Sequence, residues 1–325
     1  MFRCLGVYRE VSNSPNRETD DALILRAVLE QLESLGVQTR VVTPEELDPA
    51  QCRDFDVVLP MCEAYPRIKA LATEAARGGR TLWVNPPQSV LNCYRQAMIP
   101  ALKLCPGVRF PDSELRSVAD GPGKPPAYAA PEGWWVKRGD VHNMTDHDVI
   151  RARAWSGVTG ILRDFAQREI VSWVVQPHID GDLVKFYGVG PGHWFTWFYH
   201  DPVRARRTPY RLDDLAEQAR RGAGALGLEV FGGDAIISPG GVVTLLDLNS
   251  WPSFALVRRE AAVQISWHMQ NRLAARQGAP SPGQRRLPPA EGAARDAAPR
   301  SGSALAERAA AQKTSAKSKK ERTRS

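Results

Sequence analysis

Two stretches late in the chain decide the reading: Phe231-Gly232-Gly233-Asp234-Ala235-Ile236-Ile237 and Leu245-Leu246-Asp247-Leu248-Asn249-Ser250-Trp251-Pro252-Ser253-Phe254. Glu229 to Ile237 and Val242 to Leu248 read as adjacent antiparallel strands closed at Pro239-Gly240-Gly241. Residues two apart on a strand share a face, so Asp234, Asp247 and Asn249 can point to one side. Three oxygen donors then converge. Such a set suits a Mg-nucleotide, because magnesium is held by one or two carboxylates while phosphates and waters complete its octahedron. Taken alone, Asp247 and Asn249 read more readily as the end of a strand and the start of a turn than as ligands.

Upstream, the first hundred residues alternate short apolar runs with helical patterns, as a parallel sheet with crossover helices requires. Phe2 to Tyr8, Val37 to Val42, Phe55 to Leu59 and Thr81 to Val84 read as strands. A helix capped at Thr19 or Asp20 carries a stripe of Ala22, Leu25, Leu29 and Leu32 and ends at Gly36, and a second runs around Ile68 to Ala76. Residues 111 to 133 are rich in Pro and Gly and mark a boundary. Beyond it, Trp134 to Lys137, Val171 to Ile179, Leu183 to Val189 and Trp194 to Tyr199 read as one antiparallel group. A helix from Leu212 to Leu226 precedes the metal hairpin, and another from Phe254 to about Leu273 follows it.

The chain divides accordingly into an N-terminal α/β domain (1–110), a two-lobed region (111–275) and a tail (276–325). The tail is Ala, Pro, Ser, Lys and Arg with few large apolar side chains, the composition of a disordered segment. It holds 12 Lys and Arg against 4 Asp and Glu, which leaves the body at 31 against 32, so the net charge of +7 belongs to the tail. Nucleic acid is therefore expected, if at all, only through the tail. No apolar run reaches the ~18 residues of a membrane span and no secretory leader is legible at the start, so a cytoplasmic protein without membrane contact is expected. Five scattered cysteines with no Cys-x-x-Cys read as reduced structural thiols.

The hairpin resembles the metal-binding end of the ATP-grasp superfamily, in which an Asp on one strand faces an acidic-x-Asn triplet on the next, followed by Pro, as in Asp234, Asp247, Asn249 and Pro252. Three further segments resemble that superfamily in its order. Trp135-Val136-Lys137 is similar to the strand whose lysine reaches the phosphates. Val174-Val175-Gln176-Pro177-His178-Ile179 is similar to the hinge strand whose backbone holds adenine. Asn85-Pro86-Pro87 through Asn92 and Arg95 is similar to the Asn-Ser-Pro segment after the fourth strand of the first lobe. The resemblance covers roughly residues 2 to 270. It implies an α/β ATP-grasp fold with an N-terminal open α/β lobe, a central small α+β lobe and a C-terminal α+β lobe.

It also implies ATP and Mg2+, with Mn2+ as a substitute, as the cofactors. Phosphoryl transfer needs neutralisation and positioning of charge more than covalent help, so cations around the triphosphate matter most. Lys137, Gln176, His178, Ile179, Asp182 and Lys185 are the nucleotide-contact candidates; Asp180 and Asp182 read equally as ribose ligands or as turn residues. Lys185, Arg95 and His142 are the catalytic candidates. Arg95 stands where the superfamily usually has lysine, and Arg138 to His147 replace the usual glycine-rich phosphate loop. The His142 and His147 spacing is similar to that of ATP-grasp inositol polyphosphate kinases, where a histidine faces the acceptor. Arg204, Arg206 and Arg207, and Arg258 and Arg259, read either as receivers of an anionic small-molecule or peptide acceptor or as solvated charge. The expected activity is a carboxylate–amine ligase; the alternatives are a small-molecule kinase and a degenerate nucleotide-binding scaffold. Oligomeric state is left open.

Overall fold

The computed structural model describes residues 2–11, 21–141 and 145–276. The expected cap at Thr19 or Asp20, His142 and the tail beyond Arg276 lie outside the described residues.

The first lobe is a parallel sheet, β1 (Arg3–Val7), β2 (Gln38–Val42), β3 (Val57–Pro60) and β4 (Leu82–Trp83), in the order β2-β1-β3-β4. Its crossover helices are α1 (Asp21–Ser34) and α2 (Tyr65–Ala76). In α1, Ile24, Leu25, Val28, Leu29 and Leu32 recur at helical spacing and are buried. Gly36 ends the segment with φ +82°, a conformation that glycine adopts without a Cβ penalty. Two short helices, α3 (Pro87–Asn92) and α4 (Arg95–Leu104), lead away from β4.

The middle lobe is an antiparallel sheet of β5 (Glu114–Ser117), β6 (Trp134–Arg138), β7 (Val149–Ala152) and β8 (Ser172–Pro177), ordered β5-β8-β6-β7, with α5 (Val158–Gln167) on one face. The third lobe is an antiparallel sheet of β9 (Asp182–Val189), β10 (Trp194–Tyr199), β11 (Val230–Ile237) and β12 (Val243–Ser250), ordered β10-β9-β11-β12. Helix α6 (Leu212–Leu226) covers its back, and α7 (Arg258–Arg276) is the last element among the described residues.

Core composition separates these bodies. Cys4, Leu25 and Leu59 of the first lobe share one apolar core with Val189, Val230 and Trp251 of the third and Ile265 and Met269 of α7. The middle lobe keeps its own core around Trp134, Val136, Phe165 and Trp173.

Three sequence expectations change. The four strands grouped together from 134 to 199 fall into two sheets, β6 and β8 in one and β9 and β10 in the other, because β6 and β8 pair with β7 and β5 whereas β9 pairs with β11. A strand, β5, lies inside the Pro/Gly-rich boundary; it is a half-exposed edge strand, so no apolar alternation announces it. The last helix begins at Arg258 rather than Phe254, since Phe254 has φ +49° and residues 255–257 form a turn. Helices α3, α4 and α5 and strand β7 are additions to the sequence reading, although the Val158, Leu162 and Phe165 stripe of α5 is a legible helical signal.

Candidate active site

The site lies on the front of the third sheet. Lys185 on β9, Asp234 on β11 and Asp247 on β12 are directly opposite one another on three adjacent strands. Residues directly opposite in a sheet present side chains to the same face. Asn249, two residues beyond Asp247, shares that face and lies opposite Gly232. The three proposed metal ligands are thus brought together, each half-buried.

The back of the same strands carries Phe186, Phe231, Ala235, Leu245 and Leu248, buried against α6. Leu245 and Leu248 are three apart, yet both reach the core. Asp234 pairs with Asp247 while Ala235 pairs with Leu245, so Leu246 is an extra residue that bulges and resets the alternation. The bulge is what lets the acidic pair face outward beside a continuous core.

Gly233 is required by closeness. A Cβ there would stand 2.3 Å from the carbonyl oxygen of Asp247 and 2.6 Å from the Phe186 ring. Gly233→Ala is expected to lower stability by about 2 kcal/mol in urea denaturation, because backbone rather than a flexible tip must give way.

Two cations approach from other elements. Lys137 on β6 has its pKa brought down to about 8 by burial and by the Arg95 charge, against the opposing pull of Asp247 and Asp234. Arg95, in the first turn of α4, is 8% exposed and donates from Nη1 to the carbonyl of Arg138. Burial lowers its pKa, while Asp247, Asp148 and Asp140 act against that. The Lys185 ammonium lies 2.9 Å from Asp234 Oδ1. Asp234 and Asp247 would repel across the strand pair. Instead three positive groups surround them.

The nucleotide-contact candidates divide. Gln176 and His178 lie on or just after β8, with side chains engaged inside the middle lobe. Gln176 Nε2 donates to Ser113 Oγ at 2.8 Å, and Trp135 Nε1 donates to His178 Nδ1 at 3.1 Å. Burial and Arg151 lower the His178 pKa, which keeps the ring neutral near pH 7. Ile179 follows, half-buried. Asp182 is otherwise engaged, because its two oxygens accept from the backbone N–H groups of Arg206 (2.7 Å) and Thr208 (3.0 Å), which fixes the loop after β10. Asp180 pairs with Arg206 through two 2.7 Å hydrogen bonds. Both aspartates are therefore committed to that loop, the turn side of the two readings.

The first arginine group, Arg204, Arg206 and Arg207, makes contacts of its own. Arg204 is near Asp201 at 3.7 Å, Arg206 holds Asp180, and Arg207 lies over the Tyr199 ring at 5.8 Å. His147 is exposed in a short turn, and its carbonyl accepts from Arg168.

Arg9 and Asp148 escape sequence reasoning, as does the hydrogen-bonding role of Asn85. Arg9, just after β1, donates to Asp21 and to the carbonyls of Ser250 and Trp251, the residues that follow Asn249. Asn85 accepts from the N–H groups of Glu229 and Val230 at 2.7 Å and donates to Val230 O and Ser250 Oγ. Asp148 is fully buried and ion-paired to Arg168. A polar residue at the carboxyl end of a parallel strand is the one local signal for Arg9 and Asn85.

The architecture has counterparts among solved structures. The RimK domain protein ATP-grasp from Sphaerobacter thermophilus matches with a TM-score of 0.59 at 16% identity, covering 81% of this chain and 98% of the other. The D-cycloserine synthetase DcsG gives 0.59 at 14% identity, over 83% and 99% of the two chains. The D-alanine-D-alanine ligase from Coxiella burnetii gives 0.58 at 11% identity, over 86% and 99%. The chain adopts the ATP-grasp fold. No protein-family model and no curated protein matches the sequence, so the likeness is one of fold.

The ATP-grasp fold implies a divalent ion, and the residues present fit one. Two carboxylates and an amide share a face, and a lysine ammonium already sits against one of them. Among the described residues no three His, Cys, Asp or Glu side chains converge, so phosphate and water would supply the remaining ligands. Among the described residues no helix is long and apolar enough to cross a membrane.

Lys137 gives this face a pH dependence. On the function proposed below its protonated form would attract triphosphate, and that proton is lost as pH rises through about 8. Hence kcat/KM for ATP is expected to fall above pH about 8, since that ratio reports the free enzyme. In Lys137→Arg the fall disappears, because a guanidinium keeps its charge. A pH profile of both proteins checks this.

Proposed function

We propose that the protein is an Mg-ATP-dependent carboxylate–amine ligase acting on a small molecule or peptide. The observation that carries the reading is the row Lys185, Asp234 and Asp247 across three strands, faced by Lys137 and Arg95. Two carboxylates ringed by three cations form a receptacle for a metal-bearing polyphosphate. The names of the neighbouring structures, a D-alanine-D-alanine ligase and a D-cycloserine synthetase, support ligation over kinase chemistry.

In this reading Asp234, Asp247 and Asn249 hold the ion, whose chemistry is to neutralise and align the triphosphate. Lys137, Lys185 and Arg95 bind the phosphate oxygens and stabilise charge that develops as the γ-phosphoryl group moves to a substrate carboxylate. ADP leaves, an amine attacks the acyl phosphate carbonyl, and inorganic phosphate departs with a proton released from the amine. The backbone of Gln176 to Ile179 is the place for adenine.

Hydroxylamine tests the reaction type. With ATP, Mg2+ and pools of carboxylic acids, a ligase yields a hydroxamate and ADP. A stable phosphorylated product without hydroxamate would replace this reading with a kinase.

A further inference from the structure

The Lys185 and Asp234 pair does more than place two functional groups near each other. The ammonium lies 2.9 Å from Oδ1 of a carboxylate assigned to the metal. Each side chain keeps about a third of its surface open, 36% for Lys185 and 29% for Asp234, so packing does not lock the pair. Lysine is a compact, mobile point charge on a flexible stem.

Charge decides what can displace it. Asp234 and Asp247 face Lys185, Lys137 and Arg95, so the cluster carries one positive charge in excess. A free divalent ion entering this cluster adds two more and must compete with an ammonium for Asp234. A nucleotide reverses the balance, since its triphosphate offers more negative charge than one divalent ion offers positive, and it gives Lys185 another anion to grip.

We propose that Lys185 is a built-in placeholder cation: it closes the metal position to free divalent ions and yields it when the triphosphate draws the ammonium away. Metal and nucleotide therefore enter together rather than metal first. The idea rests on the nucleotide reading of the site and adds its order of assembly.

The test is Mn2+ binding to the full chain, followed by the electron paramagnetic resonance signal of the free aquo ion. Without nucleotide, Lys185→Met is expected to raise Mn2+ affinity about tenfold or more, and Lys185→Arg to leave it near the wild-type value. The gain should vanish in Lys185→Met combined with Asp234→Asn. With ATP present, the wild-type chain should take up Mn2+ and ATP together, and Lys185→Met should do so less well. If the wild type takes up both while Lys185→Met binds free Mn2+ no better, the placeholder is refuted and the nucleotide site stands. A gain that survives Asp234→Asn also refutes it. If neither wild type nor variant takes up Mn2+ with ATP, the nucleotide reading fails and the inference fails with it.

Discussion

Replacing Asp247 by asparagine is expected to lower ATP turnover about 1000-fold while leaving the protein folded. Asp247 lies on the edge strand of the charged face, opposite Asp234 and two residues from Asn249. Asparagine keeps the size of the side chain and can still accept from the Leu248 N–H, which Asp247 Oδ1 accepts at 2.9 Å. What it loses is a formal charge that offsets Lys137 and Arg95 and binds the ion. Stability should change by about 1 kcal/mol or less, because the residue is half-exposed and outside the core. Steady-state ATPase or ligase rates beside a thermal melt provide the check. A fall of less than about tenfold would remove Asp247 from the reacting centre.

Asn85→Ala is expected to act in the opposite way, through folding. Asn85 is fully buried and satisfies two backbone N–H groups at the start of β11 while donating to the ends of β11 and β12. Truncation leaves two buried donors without that acceptor, each worth about 1–3 kcal/mol, so a loss of about 3 kcal/mol is expected. Urea denaturation measures it as a shift in midpoint at unchanged slope. Activity per folded molecule should survive, since Asn85 touches no proposed ligand group. A loss below about 1 kcal/mol would mean that water or relaxation replaces the amide.

These two residues show what can be read from residues alone. Asp247 and Asn249 are legible as a pair because residues two apart on a strand share a face, whereas Asp234 joins them only through the bulge at Leu246, which shifts the register set by the turn. The helices α1, α2 and α6 are legible because their apolar stripes follow the helical period. Asn85 and Arg95 stand out only by resemblance, and the hydrogen-bonding roles of Asn85 and Arg9 are invisible at that level. Asn85 and Arg9 reach carbonyls and amides more than a hundred residues away, Arg95 a carbonyl in the next lobe, and local pattern carries no information about such pairs. Asp182 misleads for the same reason, since turn chemistry and a ligand site look alike until the loop it holds is seen. The split of the aromatic strands into two sheets depends on which edges meet, a long-range matter that composition does not encode.

The separate core of the middle lobe has a consequence for how such a molecule can be tuned. The first and third lobes are welded by common packing, and Arg9 rivets the end of β12 to the first. The sheet bearing Lys137 stands on its own foundations. Substitutions around Trp134 or Trp173 are therefore expected to loosen the middle lobe while the packing behind the carboxylates is left intact.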